Sequence, residues 1–315
     1  MKTIRVGVVG VGHLGRHHAR IYTELIGAQL LGVVDSNLSQ AQAVAEGLGV
    51  PAYSDLDRFI QEQQPEAMSV VVPTSAHFDV ARRLAERGIH MLVEKPVTTT
   101  VEQAAALAEL AKAKNIVLQV GHVERFNSAV RYLSQQMSDD ILCIQSRRQG
   151  PFSPRIADVG VVLDLMIHDI DIVLSLVKSE ITAIHAMGRS VRTNREDFAV
   201  AQIAFASGAV ADIHVSRVAE RRARQMDITL PDRYVSVNFE TQDVAVYRST
   251  AAPASGGMME NIERPLLPKG EPLKQELQHF LSCVCNGTQP LVGISEGKKA
   301  LEVALAVLNQ IHLQN

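Results

Sequence analysis

From residue 4 to residue 120 the apolar side chains fall into short unbroken runs, and stretches with helical spacing separate them. Residues 4–9, 30–34, 68–72, 89–93 and 116–120 are rich in Val, Ile, Leu and Met at consecutive positions. That pattern marks strands buried on both faces. Between them, residues 13–25, the Ala- and Gln-rich stretch after Asp35, residues 76–87 and residues 101–114 read as helices. Five such strands with intervening helices predict a parallel sheet covered on both sides. Right-handed crossovers then give a doubly wound α/β fold.

After Gly121 the period changes. An amphipathic helix is predicted at 128–137, a strand at 141–145 and a mostly apolar helix at 160–177. Strands follow at 181–190, 198–205, 210–215, 226–230, 234–239 and 244–247, with a tight turn at Ala206-Ser207-Gly208. Consecutive strands without helices between them imply an open, mostly antiparallel sheet in an α+β domain. Residues 249–271, rich in Pro, Gly and Ser, read as a long irregular loop. Helices at 273–285 and 295–313 end the chain.

Composition changes this picture little. The 315 residues, 46% hydrophobic and 21% charged, are ordinary for a globular chain, and the length suits two domains. We place them at 1–121 and 122–315, with the C-terminal helix packing back on the first. A net charge of −3 gives no basic excess for nucleic acid or an anionic membrane. Cys143, Cys283 and Cys285 lack zinc-site spacing and read as free thiols, so no metal is expected. Glycines break the apolar run at the N-terminus, which excludes a signal-peptide core there. No stretch reaches the roughly 20 apolar residues of a membrane span. A cytoplasmic protein is expected.

The chemistry begins at Gly10-Val11-Gly12-His13-Leu14-Gly15. This GxGxxG lies between a strand and a helix, the context of a dinucleotide-binding Rossmann domain. Gly10 permits the tight turn, Gly12 the approach of a pyrophosphate, and Gly15 the packing of helix on strand. The helix N-terminus, starting beside His13 and Leu14, offers free N–H groups to the phosphates. Asp35 closes the second strand, where a carboxylate accepts from ribose hydroxyls and repels a 2′-phosphate. With no Arg next to it, NAD is favoured over NADP. Pro73 and Thr74 end the third strand, on the ligand side. His77, one helical turn on, is either a further cofactor contact or a surface imidazole.

The fourth strand runs into Glu94-Lys95-Pro96. A Lys at that strand end can polarise a hydroxyl or stabilise an alkoxide, and Pro96 can fix the turn through a cis bond. In the apolar helix at 160–177 stand Asp164, His168, Asp169 and Asp171. Helical spacing puts Asp164, His168 and Asp171 on one face. A histidine flanked by carboxylates suits general-base work; ion pairing for structure alone would also leave such a pattern.

GxGxxG, Glu94-Lys95-Pro96 and Asp164-x-x-x-His168-x-x-Asp171, in this order, resemble the Gfo/Idh/MocA oxidoreductases over nearly the whole chain. The resemblance implies a Rossmann domain, a C-terminal α+β domain whose open sheet mediates homodimers or homotetramers, and catalytic roles for Lys95, Asp164 and His168. It also implies cofactor contact by Glu94. The segments 121–127 and 158–171 are most similar to members acting on nucleotide sugars. Consecutive glycines, common in the family, are replaced by Asp158-Val159, a Gly by Met166, and a late Trp is absent. These departures point away from a simple inositol or glucose substrate. Arg125, Asn127 and Asp171 are the substrate-binding candidates. Arg147, Arg148, Arg155, Arg217, Arg221, Arg222 and Arg224 are further cations for a diphosphate. A non-catalytic dinucleotide sensor is the rival of another class, and the retained Lys95, Asp164 and His168 argue against it.

Overall fold

The computed structural model describes residues 3–137, 140–153, 159–248 and 261–313. It divides into two units. The first comprises residues 1–123 and 271–301, the second 124–270 and 302–315.

The first unit is a parallel six-stranded sheet, with strands β1 (Ile4–Val9), β2 (Ala28–Val34), β3 (Ala52–Tyr53), β4 (Ala67–Val70), β5 (His90–Glu94) and β6 (Leu118–Gly121). Their order is β3-β2-β1-β4-β5-β6, with Val6 of β1 registered on Leu30 of β2 and on Ala67 of β4. The switch between β1 and β4 opens the crevice in which such sheets bind ligands. Helices α1 (Gly15–Glu24), α2 (Leu38–Leu48), α3 (Leu56–Gln63), α4 (Thr74–Glu86) and α5 (Val101–Ala113) supply the crossovers. The apolar pattern predicts five strands; β3 is the sixth. It has only two residues, too few for any period, and the helix after it is announced by Asp55, whose Oδ1 accepts the Arg58 N–H at 2.9 Å.

A late segment completes this core. Helix α8 (Pro272–Asn286) buries Leu273, Leu277 and Phe280 with Ile21 and Tyr22 of α1. Each such side chain contributes about 1.5–3 kcal/mol on burial. The first unit is therefore not a continuous piece of chain.

The second unit is built on an eight-stranded sheet: β7 (Cys143–Gln149), β8 (Ile181–Arg189), β9 (Phe198–Phe205), β10 (Val210–Ser216), β11 (Ala223–Thr229), β12 (Arg233–Asn238), β13 (Asp243–Arg248) and β14 (Asn261–Glu263). The order is β14-β13-β12-β11-β7-β10-β9-β8. β7 inserts between β11 and β10, antiparallel to one and parallel to the other. Strict alternation shows which face is covered. Ala199, Ala201, Ile203 and Phe205 of β9 are buried, as are Ala211, Ile213 and Val215 of β10. Gln145, Arg147 and Gln225 lie exposed on the other face. α6 (Ser128–Gln136) and α7 (Ile167–Leu176) bury their apolar residues in this unit. α9 (Ile294–Leu313) ends in it, with Ile311 against Gly188 of β8.

Two expectations change here. The helix at 160–177 begins as a π-helical turn, Val162–Met166, that runs into α7. Asp164 stands on this wider turn, so the α-helical spacing that put it on one face with His168 does not apply; such turns concentrate at functional sites. In the supposed irregular loop, Asn261–Glu263 pairs with β13 as an edge strand, and the part at 249–260 lies outside the described residues.

Candidate functional site

In the first unit, the glycine loop is tight at its ends and open in its middle. Gly10 has φ +84°, and a Cβ there would fall 2.4 Å from the Val71 carbonyl oxygen. A Cβ on Gly15 would fall 1.8 Å from the Gly10 oxygen, whereas one on Gly12 meets nothing within 4 Å. The space above Gly12, at the start of α1, is what a pyrophosphate needs. His13 and Leu14 are exposed there, and the Arg16 guanidinium lies 2.9 Å from His13 Nδ1. Burial, and then the charge of Arg16, lowers the pKa of the neighbouring His17.

Asp35 ties the loop to β2. Its Oδ2 accepts the Val11 N–H at 2.8 Å and the Gln40 side-chain amide at 2.9 Å, while Oδ1 accepts the Asn37 N–H at 2.9 Å. The carboxylate assigned to the ribose thus also shapes the glycine loop. Gln40 gave no sequence signal, because nothing in α2 distinguishes it from the other glutamines.

Pro73 caps α4 and Thr74 begins it. His77 is buried, which corrects the surface-imidazole reading. Its Nδ1 lies 2.8 Å from the Pro96 carbonyl oxygen and its Nε2 2.9 Å from that of Val72. With both nitrogens facing backbone carbonyls, it fastens the Lys95 turn. Burial lowers its pKa. Lys95 is half-buried and its bond to Pro96 is cis. Glu94 is buried. Its Oε2 is 3.3 Å from the Lys95 N, and its Oε1 is 3.2 Å from His18 Nε2. The loop, Asp35 and the Glu94–Pro96 turn lie at carboxyl ends of the parallel strands, and together they fit NAD.

In the second unit, Asp164 and His168 are half-buried, and Asp169 and Asp171 are buried. The carboxylates are partnered separately. Arg148 of β7 donates from Nε and Nη2 to the two oxygens of Asp169, both at 3.0 Å, and from Nη1 to Glu124 at 2.7 Å. Its guanidinium also sits 5.3 Å from the Phe239 ring centroid. Arg148, a supposed diphosphate ligand, is therefore an internal brace for α7. The signal was present, since alternation along β7 points position 148 inward with Ile144 and Ser146.

Arg125 donates to Asp171 at 3.2 Å, so these two substrate candidates pair with each other. Asn127 is corrected to a helix cap. Its Oδ1 accepts the Ala129 N–H at 3.0 Å, and its amide donates to the Phe239 carbonyl and to Glu124. Arg217 is likewise buried, bonded to Asp197 at 2.7 Å and to the Val159 carbonyl. Arg147, Arg221, Arg222 and Arg224 are exposed; Arg155 and Asp158 lie outside the described residues. Among the described residues no cluster of three metal-ligating side chains occurs, and no helix is long and apolar enough to cross a membrane.

Residues 4–122 match the oxidoreductase family with an NAD-binding Rossmann fold, and residues 110–235 match the GFO/IDH/MocA C-terminal domain. A UDP-N-acetylglucosamine 3-dehydrogenase of Acidithiobacillus ferrooxidans is 36% identical over 96% of both chains. Its solved structure superposes with a TM-score of 0.92, at 35% identity over 99% of both chains. An NAD-dependent scyllo-inositol 2-dehydrogenase of Bacillus subtilis is 30% identical over 97% of this chain and 93% of its own. A levoglucosan dehydrogenase in complex with NADH and L-sorbose shares the fold, with a TM-score of 0.85 at 21% identity over 100% of this chain and 98% of its own. With its glycine loop, Asp35 and Glu94-Lys95-Pro96 turn, the chain is an NAD-dependent oxidoreductase and belongs to the Gfo/Idh/MocA family.

Proposed function

We propose that the protein oxidises the 3-hydroxyl of a UDP-linked N-acetylhexosamine, UDP-N-acetylglucosamine in the first instance, with NAD as acceptor. The observation that carries this reading is the full-length similarity to a dehydrogenase of that sugar. The presence of Lys95, Asp164 and His168 supports it. His168 takes the proton of the sugar hydroxyl, with Asp164 orienting it. Lys95 donates a hydrogen bond to the same oxygen and stabilises its negative charge as the ketone forms. NAD held there would supply the two-electron acceptor for the hydride of the carbinol carbon. Gly10, Gly12 and Gly15 with the start of α1 hold the diphosphate, Asp35 the adenosine ribose, and Pro73, Thr74 and Glu94 the nicotinamide half. Arg125 and Asp171 contribute to the sugar-nucleotide side as a pair.

The second reading is dehydrogenation of a free inositol, supported by the 30% identical scyllo-inositol enzyme. NADH formation at 340 nm with NAD and UDP-N-acetylglucosamine, free hexoses or inositols separates the two. Turnover on the UDP-sugar, lost in Lys95→Ala and His168→Ala, is expected; turnover confined to inositols would overturn the first reading. We further propose a cytoplasmic homo-oligomer assembled through the open face of the second unit's sheet, where Met187, Phe198 and Val210 are exposed.

A further inference from the structure

Helix α1 sends two side chains, one turn apart, under the carboxyl end of the parallel sheet. His18 and Tyr22 are both fully buried, and so is Ser69 of β4 between them. The Tyr22 hydroxyl lies 2.8 Å from Ser69 Oγ, and Ser69 Oγ lies 3.1 Å from His18 Nδ1. On the other side of the ring, Nε2 is 3.2 Å from Glu94 Oε1. One tautomer suits the row, with Nε2 and Oε1 in close polar contact at ion-pair distance but without hydrogen-bond geometry. Tyr22 donates to Ser69, Ser69 donates to His18 Nδ1, and the proton on Nε2 faces the carboxylate.

A carboxylate this deeply buried is costly without a partner. Glu94 is hemmed in elsewhere by backbone. Its Oε2 faces the Lys95 N at 3.3 Å, and a Cβ on Gly121 would fall 2.7 Å from its Cδ. His18 closes a further side, with Nε2 3.2 Å from Oε1. The row runs from the buried Tyr22 hydroxyl to the Glu94 carboxylate.

We propose that His18 is a positioning residue for the cofactor side of the active site. It fixes the Glu94 carboxylate, and through Glu94 the turn that carries Lys95. The proposal rests on the reading of Glu94 as a cofactor contact and Lys95 as a catalytic residue.

The test uses two substitutions that split the ring. His18→Gln puts an amide nitrogen where Nε2 stands and keeps the contact to Glu94. His18→Asn puts its amide oxygen where Nδ1 stands, so it keeps only the bond accepted from Ser69. NAD affinity by calorimetry, kcat with UDP-N-acetylglucosamine and the melting temperature are measured for both. His18→Asn is expected to weaken NAD binding and lower kcat by about tenfold or more, a cost typical of a misplaced reacting group. His18→Gln should recover most of both losses, while the two variants melt together. Equal losses in both, or no loss in either, would overturn the proposal. Should neither variant fold, Ser69→Ala removes only the hydroxyl that orients the ring; weakened NAD binding supports the proposal and unchanged binding overturns it. Lys95→Ala is assayed alongside. Turnover that persists there sinks the catalytic reading itself, and this proposal with it, whatever the His18 pair shows.

Discussion

His77 and Pro96 are joined across 19 residues of chain by a 2.8 Å contact between Nδ1 and the proline carbonyl oxygen, while Nε2 of the same ring reaches the Val72 carbonyl. A neutral imidazole has one N–H for these two acceptors, yet burial lowers the pKa and so disfavours the second proton. The ring thus staples the start of α4 to the turn that carries Lys95.

Replacing His77 by Leu removes the one N–H donor and leaves a buried carbonyl without it. The expected cost is about 1–3 kcal/mol, read as a lower midpoint in urea denaturation. The pH dependence has a definite sign. The unfolded chain protonates His77 near 6.5, whereas the folded protein resists protonation to lower pH. Stability from this group is therefore complete above 6.5 and falls as the pH drops from 6.5 toward the lowered folded value. Wild type should lose stability over that window, and His77→Leu should lose less. An identical pH slope in the two proteins would refute the assignment.

The glycines of the cofactor loop should separate into two kinds. A Cβ on Gly12 meets no protein atom within 4 Å, so Gly12→Ala should melt like wild type but bind NAD at least about tenfold more weakly, having filled the pyrophosphate's place. A Cβ on Gly15 would fall 1.8 Å from backbone that cannot swing aside, so Gly15→Ala should lower the melting temperature itself. Calorimetric melting beside NAD titration tells the two apart.

Asp35 shapes the glycine loop, and the proposed ribose contact would give it a second duty that its substitution should also show. Asp35→Ser removes the charge that repels a 2′-phosphate and weakens the hold on the Val11 N–H and the Gln40 amide. The ratio of kcat/KM for NAD over NADP should fall by about tenfold or more, chiefly through a higher KM for NAD. An unchanged ratio would remove Asp35 from the ribose site.

Arg148 is bound by Asp169 and Glu124 in a buried fork. Arg148→Met leaves two carboxylates without their cation, and a loss of about 3–5 kcal/mol is expected. Lys should rescue only part of this, because a point charge cannot pair both Asp169 oxygens and Glu124 at once. Chemical denaturation of the three proteins gives the order; a Lys variant as stable as wild type would show that charge alone suffices.

Much of this was legible in the chain. Continuous apolar runs announced a parallel sheet, because strands covered on both faces have no polar side to show. The GxGxxG loop, Asp35 and Glu94-Lys95-Pro96 were readable because each residue's use is local, set by a turn, a strand end or a helix start. The family followed from the order of those motifs.

What the sequence could not decide were the partnerships of buried charges. Arg125, Arg148 and Arg217 read as open cations, yet the first pairs with Asp171, the second braces α7 and the third holds Asp197. Asn127 and His77 read as ligand contacts and are fastened to backbone. The π-helical turn under Asp164 and the two-residue strand β3 left no periodic trace. The physical reason is common to all of them: a local pattern records whether a residue prefers water or core. Which group satisfies a buried charge or carbonyl depends on chain segments tens to hundreds of residues away, brought to it only when the sheets close.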